Sequence, residues 1–161
     1  MSAFTVLSEL FNNVQEHSEA TTSRFAGLQF YKRGNHIQTV ISDNGLGIVG
    51  TLKPVLKDRY PEIARKIAAS GIHEGEALLQ EVFSVGRISQ VNEDGRGLGL
   101  KRSGELAGKF KAKISVRQKD FELRVYHSQQ GVRFYRSLNL ARIEGTHICF
   151  DFALDSFNTT R

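Results

Sequence analysis

The chain has one cysteine, Cys149, two prolines, one methionine and no tryptophan. A single cysteine excludes an internal disulfide framework and a cysteine-based zinc site. Two prolines and no low-complexity run argue against a disordered tail. No stretch approaches the ~20 apolar residues that a membrane span needs. No basic segment followed by an apolar one marks a secretory leader, so a cytoplasmic protein is expected. What is present is ordinary for a globular domain. Of 161 residues, 40% are hydrophobic and 24% charged, enough for one domain with a core of its own.

The net charge of +5 is unevenly spread. Residues 1–94 carry nine Lys/Arg against eleven Asp/Glu, and residues 95–161 carry thirteen against six. The densest stretch runs from Gly95 to Lys119, with only Glu105 opposing eight basic residues. Such a surface suits nucleic acid, phosphate or an acidic partner, or is a solvated face. Nucleic acid is not expected as the main partner. The chain has no helix-turn-helix pattern, no aromatic run of the RNA-binding type and no zinc spacing.

Periodicity predicts the order of elements. Phe4, Leu7, Phe11 and Val14 form one helical stripe over Ala3 to Glu19. Arg24 to Arg33 and His36 to Asp43 read as strands, with Gly34-Asn35 as the hairpin turn. Helical propensity follows in pieces: Leu52 to Leu56, cut by Pro54, then Pro61 to Ala69 and Glu74 to Phe83. A further helix opens at Gly95 and runs to about Phe110. Four strands close the chain: Ala112–Arg117, Phe121–His127, Val132–Leu138 and Thr146–Phe152. Helices segregated from strands predict an α+β two-layer sandwich, with a mixed, mostly antiparallel sheet covered on one face by helices.

Three segments carry chemistry. Glu9, Asn13 and His17 recur at i, i+4 and i+8, so they line one edge of the first helix. A carboxylate and a carboxamide one turn apart suit a hard cation and a water to be activated. Asp43-Asn44-Gly45-Leu46-Gly47 follows a strand; its carboxylate can accept from an exocyclic amine, and its glycines let backbone approach a flat ring. Taken alone, the segment is also an ordinary Asx turn. Gly95-Arg96-Gly97-Leu98-Gly99-Leu100 opens a helix, where free N–H groups and the helix dipole favour anions. It is neither the dinucleotide fingerprint nor a Walker A loop.

In this order, with Gly145-Thr146 before the last strand, the segments resemble the ATP-binding domain of the GHKL superfamily (histidine kinase-like ATPases, the Bergerat fold). That superfamily groups type II topoisomerases, heat-shock chaperone ATPases, histidine kinases and mismatch-repair ATPases. The resemblance spans nearly the whole chain and implies ATP and Mg²⁺ as ligands. It implies that Asn13 holds the Mg²⁺ bridging the phosphates and that Glu9 is the catalytic carboxylate. It implies that Asp43 reads the adenine amino group through an arrangement shared with Thr146, with Gly45 and Gly47 bordering the ring. Gly97, Leu98, Gly99 and Leu100 would bring backbone amides to the phosphates, and residues 49–94 would form a mobile lid. Arg96, Lys101 and Arg102 would then be the positive side of the phosphate pocket, leaving Lys109 to Lys119 unassigned.

The chain departs from the family's pattern in places. Histidine kinases usually carry a basic residue three positions after the metal asparagine, where this chain has Glu16. His17-Ser18 is closer to anti-sigma-factor serine kinases and related bacterial regulators. No phosphoacceptor helix with a His-Glu/Asp pair is present. Only eight residues precede Glu9, fewer than the family's first helix normally follows. A single domain cut from a larger protein is therefore expected, with an upstream domain or protein as partner. The implied activity is ATP hydrolysis or γ-phosphoryl transfer to a protein in a regulatory role, or a non-catalytic ATP-dependent switch.

Overall fold

The computed structural model describes residues 24–84, 112–128 and 130–153. In chain order these form β1 (Arg24–Tyr31), β2 (His36–Asp43), α1 (Gly47–Arg59), α2 (Pro61–Ala69), α3 (Glu74–Ser84), β3 (Lys113–Lys119), β4 (Phe121–Ser128), β5 (Gly131–Ser137) and β6 (Ile143–Ala153). All six strands join one sheet in the order β1-β2-β6-β3-β4-β5. Every neighbouring pair among them is antiparallel. The architecture is the α+β arrangement expected from the segregation of elements.

Strand alternation builds the core. Ile41 lies opposite Ile148, Ile148 opposite Val116, and Val116 opposite Leu123, one apolar row across four strands. A parallel row runs through Thr39, Phe150, Ile114, Val125 and Phe134. The helices cover these rows with Leu52 and Leu56 of α1, Ile67 of α2, and Leu78, Leu79 and Phe83 of α3, in one buried cluster. Most of the segment expected as a lid is thus the helical layer of the fold. Glu76 of α3 is almost wholly buried and accepts hydrogen bonds from Arg136 on β5 (3.1 Å) and Gln80 (3.0 Å), tying α3 to the sheet. No described helix is long and apolar enough to cross a membrane.

Several element boundaries differ from the sequence reading. Pro54 does not cut a helix: α1 runs through it. Proline in a helix interior costs about 3 kcal/mol. Val49, Leu52 and Leu56 recur at helical spacing and are all buried. Burial of three such side chains is worth roughly 1.5–3 kcal/mol each, so packing outweighs the lost bond. β1 stops at Tyr31, where the Tyr31 and His36 rings stack at 4.6 Å and close the hairpin. Asn35 turns the loop at φ 45°, which asparagine tolerates. β3 extends to Lys119, and β6 begins at Ile143 rather than Thr146.

That last difference shapes the site. Arg117 pairs with His147 and Lys119 with Ile143. One residue of β3, Gln118, therefore faces three of β6, Glu144 to Thr146. This is a β-bulge, with Gly145 at φ 80°. Arg117 staples the outside of the bulge. Its guanidinium donates to the carbonyls of Lys119 (2.7 Å), Phe121 (3.0 Å) and Ala141. One member of the unassigned basic stretch thus has a structural use.

Cys149 lies on the face of the sheet opposite Ile148 and Phe150, across from Ser115. Burial pushes its thiol up, and the nearby carboxylates of Asp151 and Glu122 push in the same direction. At neutral pH the folded protein should react with iodoacetamide more slowly than the urea-unfolded chain. The native rate should keep climbing at pH values where an ordinary thiol has levelled off. Equal native and unfolded rates at neutral pH would contradict this.

Candidate functional site

The bulge meets the end of β2 and the start of α1, and these three pieces form a glycine-lined corner. Asp43 is the last residue of β2. The register that pairs Ser42 with His147 carries Asp43 towards Thr146 in the next position. Asp43 Oδ1 accepts a hydrogen bond from Gly45 N–H at 2.8 Å, which makes the loop an Asx turn. Among the described residues, nothing bonds Oδ2.

Two glycines let the pieces come this close. A Cβ on Gly145 would lie 1.9 Å from the Asp43 carbonyl oxygen and 2.8 Å from Asn44 Cα. No side chain fits there. Gly47, at φ 75°, would place a Cβ 3.0 Å from the Gly145 carbonyl oxygen. Backbone of β2, β6 and α1 is therefore in direct contact at one point.

The start of α1 has no cap of its own. Leu46 occupies the N-cap position and supplies no side-chain hydrogen bond. The first N–H groups of a helix lack intrahelical acceptors and must find others. Here they come from the sheet: Ile48 N–H donates to Thr146 Oγ1 at 3.2 Å, and Val49 N–H donates to Gln118 Oε1 at 3.1 Å. Gln118 Nε2 in turn donates to Thr146 Oγ1 at 2.7 Å. Both side chains are buried, Gln118 at 1% exposure and Thr146 at 4%. A threonine hydroxyl accepts two hydrogen bonds and donates one. Both acceptor positions of Thr146 are filled, so its remaining capacity is to donate.

Asp43, Gly45, Gly47 and Thr146, four of the residues singled out from the sequence, thus converge. Glu9, Asn13, Gly97, Leu98, Gly99 and Leu100 lie outside the described residues. Among the described residues, no group of three or more His, Cys, Asp or Glu side chains could hold a metal, and the expected Mg²⁺ ligand, Asn13, is not one of them.

Gln118 was not anticipated. Its signal is parity: Ile114 and Val116 point into the core, and the next inward position holds a polar residue. A strand ending at Arg117 hides that signal. Gln118→Leu keeps the volume but leaves Val49 N–H without an acceptor in the core. Stranding a buried donor costs about 1–3 kcal/mol, so the urea midpoint should fall by a corresponding amount. An unchanged midpoint would show that α1 does not depend on this cap.

No family model matches the chain, and no curated protein matches it. Among solved structures, the chain is similar to the 43K ATPase domain of Thermus thermophilus gyrase B, crystallised in complex with an aminocoumarin. The two share 15% sequence identity at a TM-score of 0.51, and the match covers 98% of this chain and 35% of that one. This chain therefore spans about a third of that structure's length. At such identity the likeness is one of fold alone: the α+β arrangement described above is shared with that ATPase domain.

Proposed function

We propose that this chain binds ATP with Mg²⁺ and seats the adenine at the Asp43–Thr146 corner. The observation that carries this reading is the corner's donor and acceptor pattern. Asp43 keeps one carboxylate oxygen free of protein partners among the described residues, suited to an exocyclic amine. Thr146 has only a donor left, suited to a water or ring nitrogen beside that oxygen. Gly47 and Gly145 let the backbones of α1 and β6 close directly on this corner. On the family resemblance, Asn13 would hold Mg²⁺, the amides of Gly97 to Leu100 would face the phosphates, and Glu9 would orient or deprotonate the attacking group. Bound Mg²⁺ would neutralise phosphate charge during transfer of the γ-phosphoryl group. Transfer to water makes the chain an ATPase; transfer to a protein makes it a regulatory kinase, for which His17-Ser18 is the supporting sequence feature.

A second reading has its own observation. Thr146 sits at the proposed adenine corner and also caps α1. Nucleotide at the corner would act directly on the helical layer, as a non-catalytic switch requires. Calorimetry with ATP, followed by an ADP-release assay, tests both readings. Binding with turnover that Glu9→Ala abolishes supports the enzyme. Binding without ADP, unchanged by Glu9→Ala, supports the switch. No binding of ATP in the presence of Mg²⁺ rejects both. Asn13→Ala should weaken binding in Mg²⁺ more than binding in EDTA.

A further inference from the structure

We propose that β1 is a self-pairing edge through which two copies of this chain form a symmetric dimer, joining their sheets side by side. The proposal is independent of what the nucleotide corner binds. β1 and β5 are the two edges of the described sheet, and they are built differently. β5 reads GVRFYRS, interrupted by Arg133 and Arg136. Charges on an edge strand discourage pairing with another chain. β1 has none between Arg24 and its end: the run is FAGLQFY. Phe25 is 64% exposed, Leu28 56%, Phe30 51% and Tyr31 36%. Among the described residues no strand pairs with the outer side of β1, and an eight-residue edge with four exposed apolar side chains is a template for strand pairing.

The sequence of β1 is complementary to itself. In a sheet continued across a two-fold axis, residues directly opposed must share a face, so the axis passes through a residue. Placing it at Leu28 sets Leu28 against the partner's Leu28, Ala26 against the partner's Phe30, and Phe25 against the partner's Tyr31. Leu28 and Phe30 lie on the face of Thr39 and Ile37, their β2 partners; Phe25 and Tyr31 lie on the other. Small meets large on one face and aromatic meets aromatic on the other, the pairings that stabilise neighbouring strands. At ~200 Å² per aromatic side chain, each copy leaves on the order of 400 Å² of apolar surface open on this edge. Two copies plus their backbone edges come near the ~1,200 Å² lower end of specific interfaces, which fits a reversible dimer.

Sedimentation equilibrium of the full chain, from micromolar to submillimolar concentration, tests this. The expected result is a monomer–dimer equilibrium. Leu28→Lys would oppose two ammonium groups on the axis and should weaken it by roughly tenfold or more. Tyr135→Lys, on the other edge, should leave it unchanged. Circular dichroism confirms that both variants fold. In a Cys149→Ser background, a short bismaleimide should link Leu28→Cys chains into covalent dimers and leave Tyr135→Cys chains unlinked. A monomer throughout the range, as when another segment covers β1, overturns the proposal. So does a dimer that Leu28→Lys leaves intact, or one that Tyr135→Lys dissociates.

Discussion

Gly145→Ala is expected to be the most damaging small substitution in the described part of the chain. The new methyl would sit 1.9 Å from the carbonyl oxygen of Asp43, and that oxygen is backbone held in a sheet. Neither side can yield by a rotamer change. Positive φ at a non-glycine residue adds ~1–2 kcal/mol, and overpacking adds ~1–3 kcal/mol. Against a total stability of about 5–15 kcal/mol, the loss is a large fraction. Thermal unfolding should shift down by roughly 10 °C or more. ATP binding should be lost alongside, because the two backbones that frame the corner must separate. A melting temperature within ~1 °C of wild type would mean that the bulge does not press on β2 as described.

Asp43→Asn is expected to spare the fold and remove most ATP affinity. Asparagine has one oxygen and one NH₂ where aspartate has two oxygens. Gly45 N–H requires the oxygen at the Oδ1 position, at 2.8 Å, so the Asx turn fixes the orientation of the amide. The NH₂ then occupies the place of the free oxygen and faces the adenine amine donor to donor. Hydrogen bonds to charged groups contribute about 1.5–3 kcal/mol, so calorimetry should show affinity reduced by roughly a hundredfold. The melting temperature without nucleotide should barely move, which separates this variant from Gly145→Ala. Unchanged affinity would remove Asp43 from the adenine assignment.

The fold was legible wherever one face of an element is buried and its neighbours are polar. β2 and α2 were read to their observed ends because alternation stops at Asp43, and Pro61 and Gly71 punctuate the helix. α1 was misread because local propensity penalises Pro54, whereas the packing of Val49, Leu52 and Leu56 is a tertiary effect. The start of β6 was misread because Glu144-Gly145 has turn chemistry; here it makes a bulge inside a strand. Asp43 and Gly47 stood out by residue type and order. Thr146 stood out only through the resemblance, since a threonine in a strand carries no signal alone. Gln118 depends on register: its partners are 28 and 69 residues away in the chain, beyond any window that periodicity can read.

The borrowed cap on α1 has a consequence for how the protein reaches this structure. The acceptors for its first amides come 98 and 69 residues later, from β6 and β3. Closing loops of that size precedes any gain from the contacts they allow. The N-terminal turn of α1 should therefore be among the last helical segments to acquire protection from hydrogen exchange during refolding. On a ribosome, Val49 N–H would lack its sheet acceptor until β3 emerges and Ile48 N–H until β6 does, and the proposed nucleotide corner would exist only once β6 has joined the sheet.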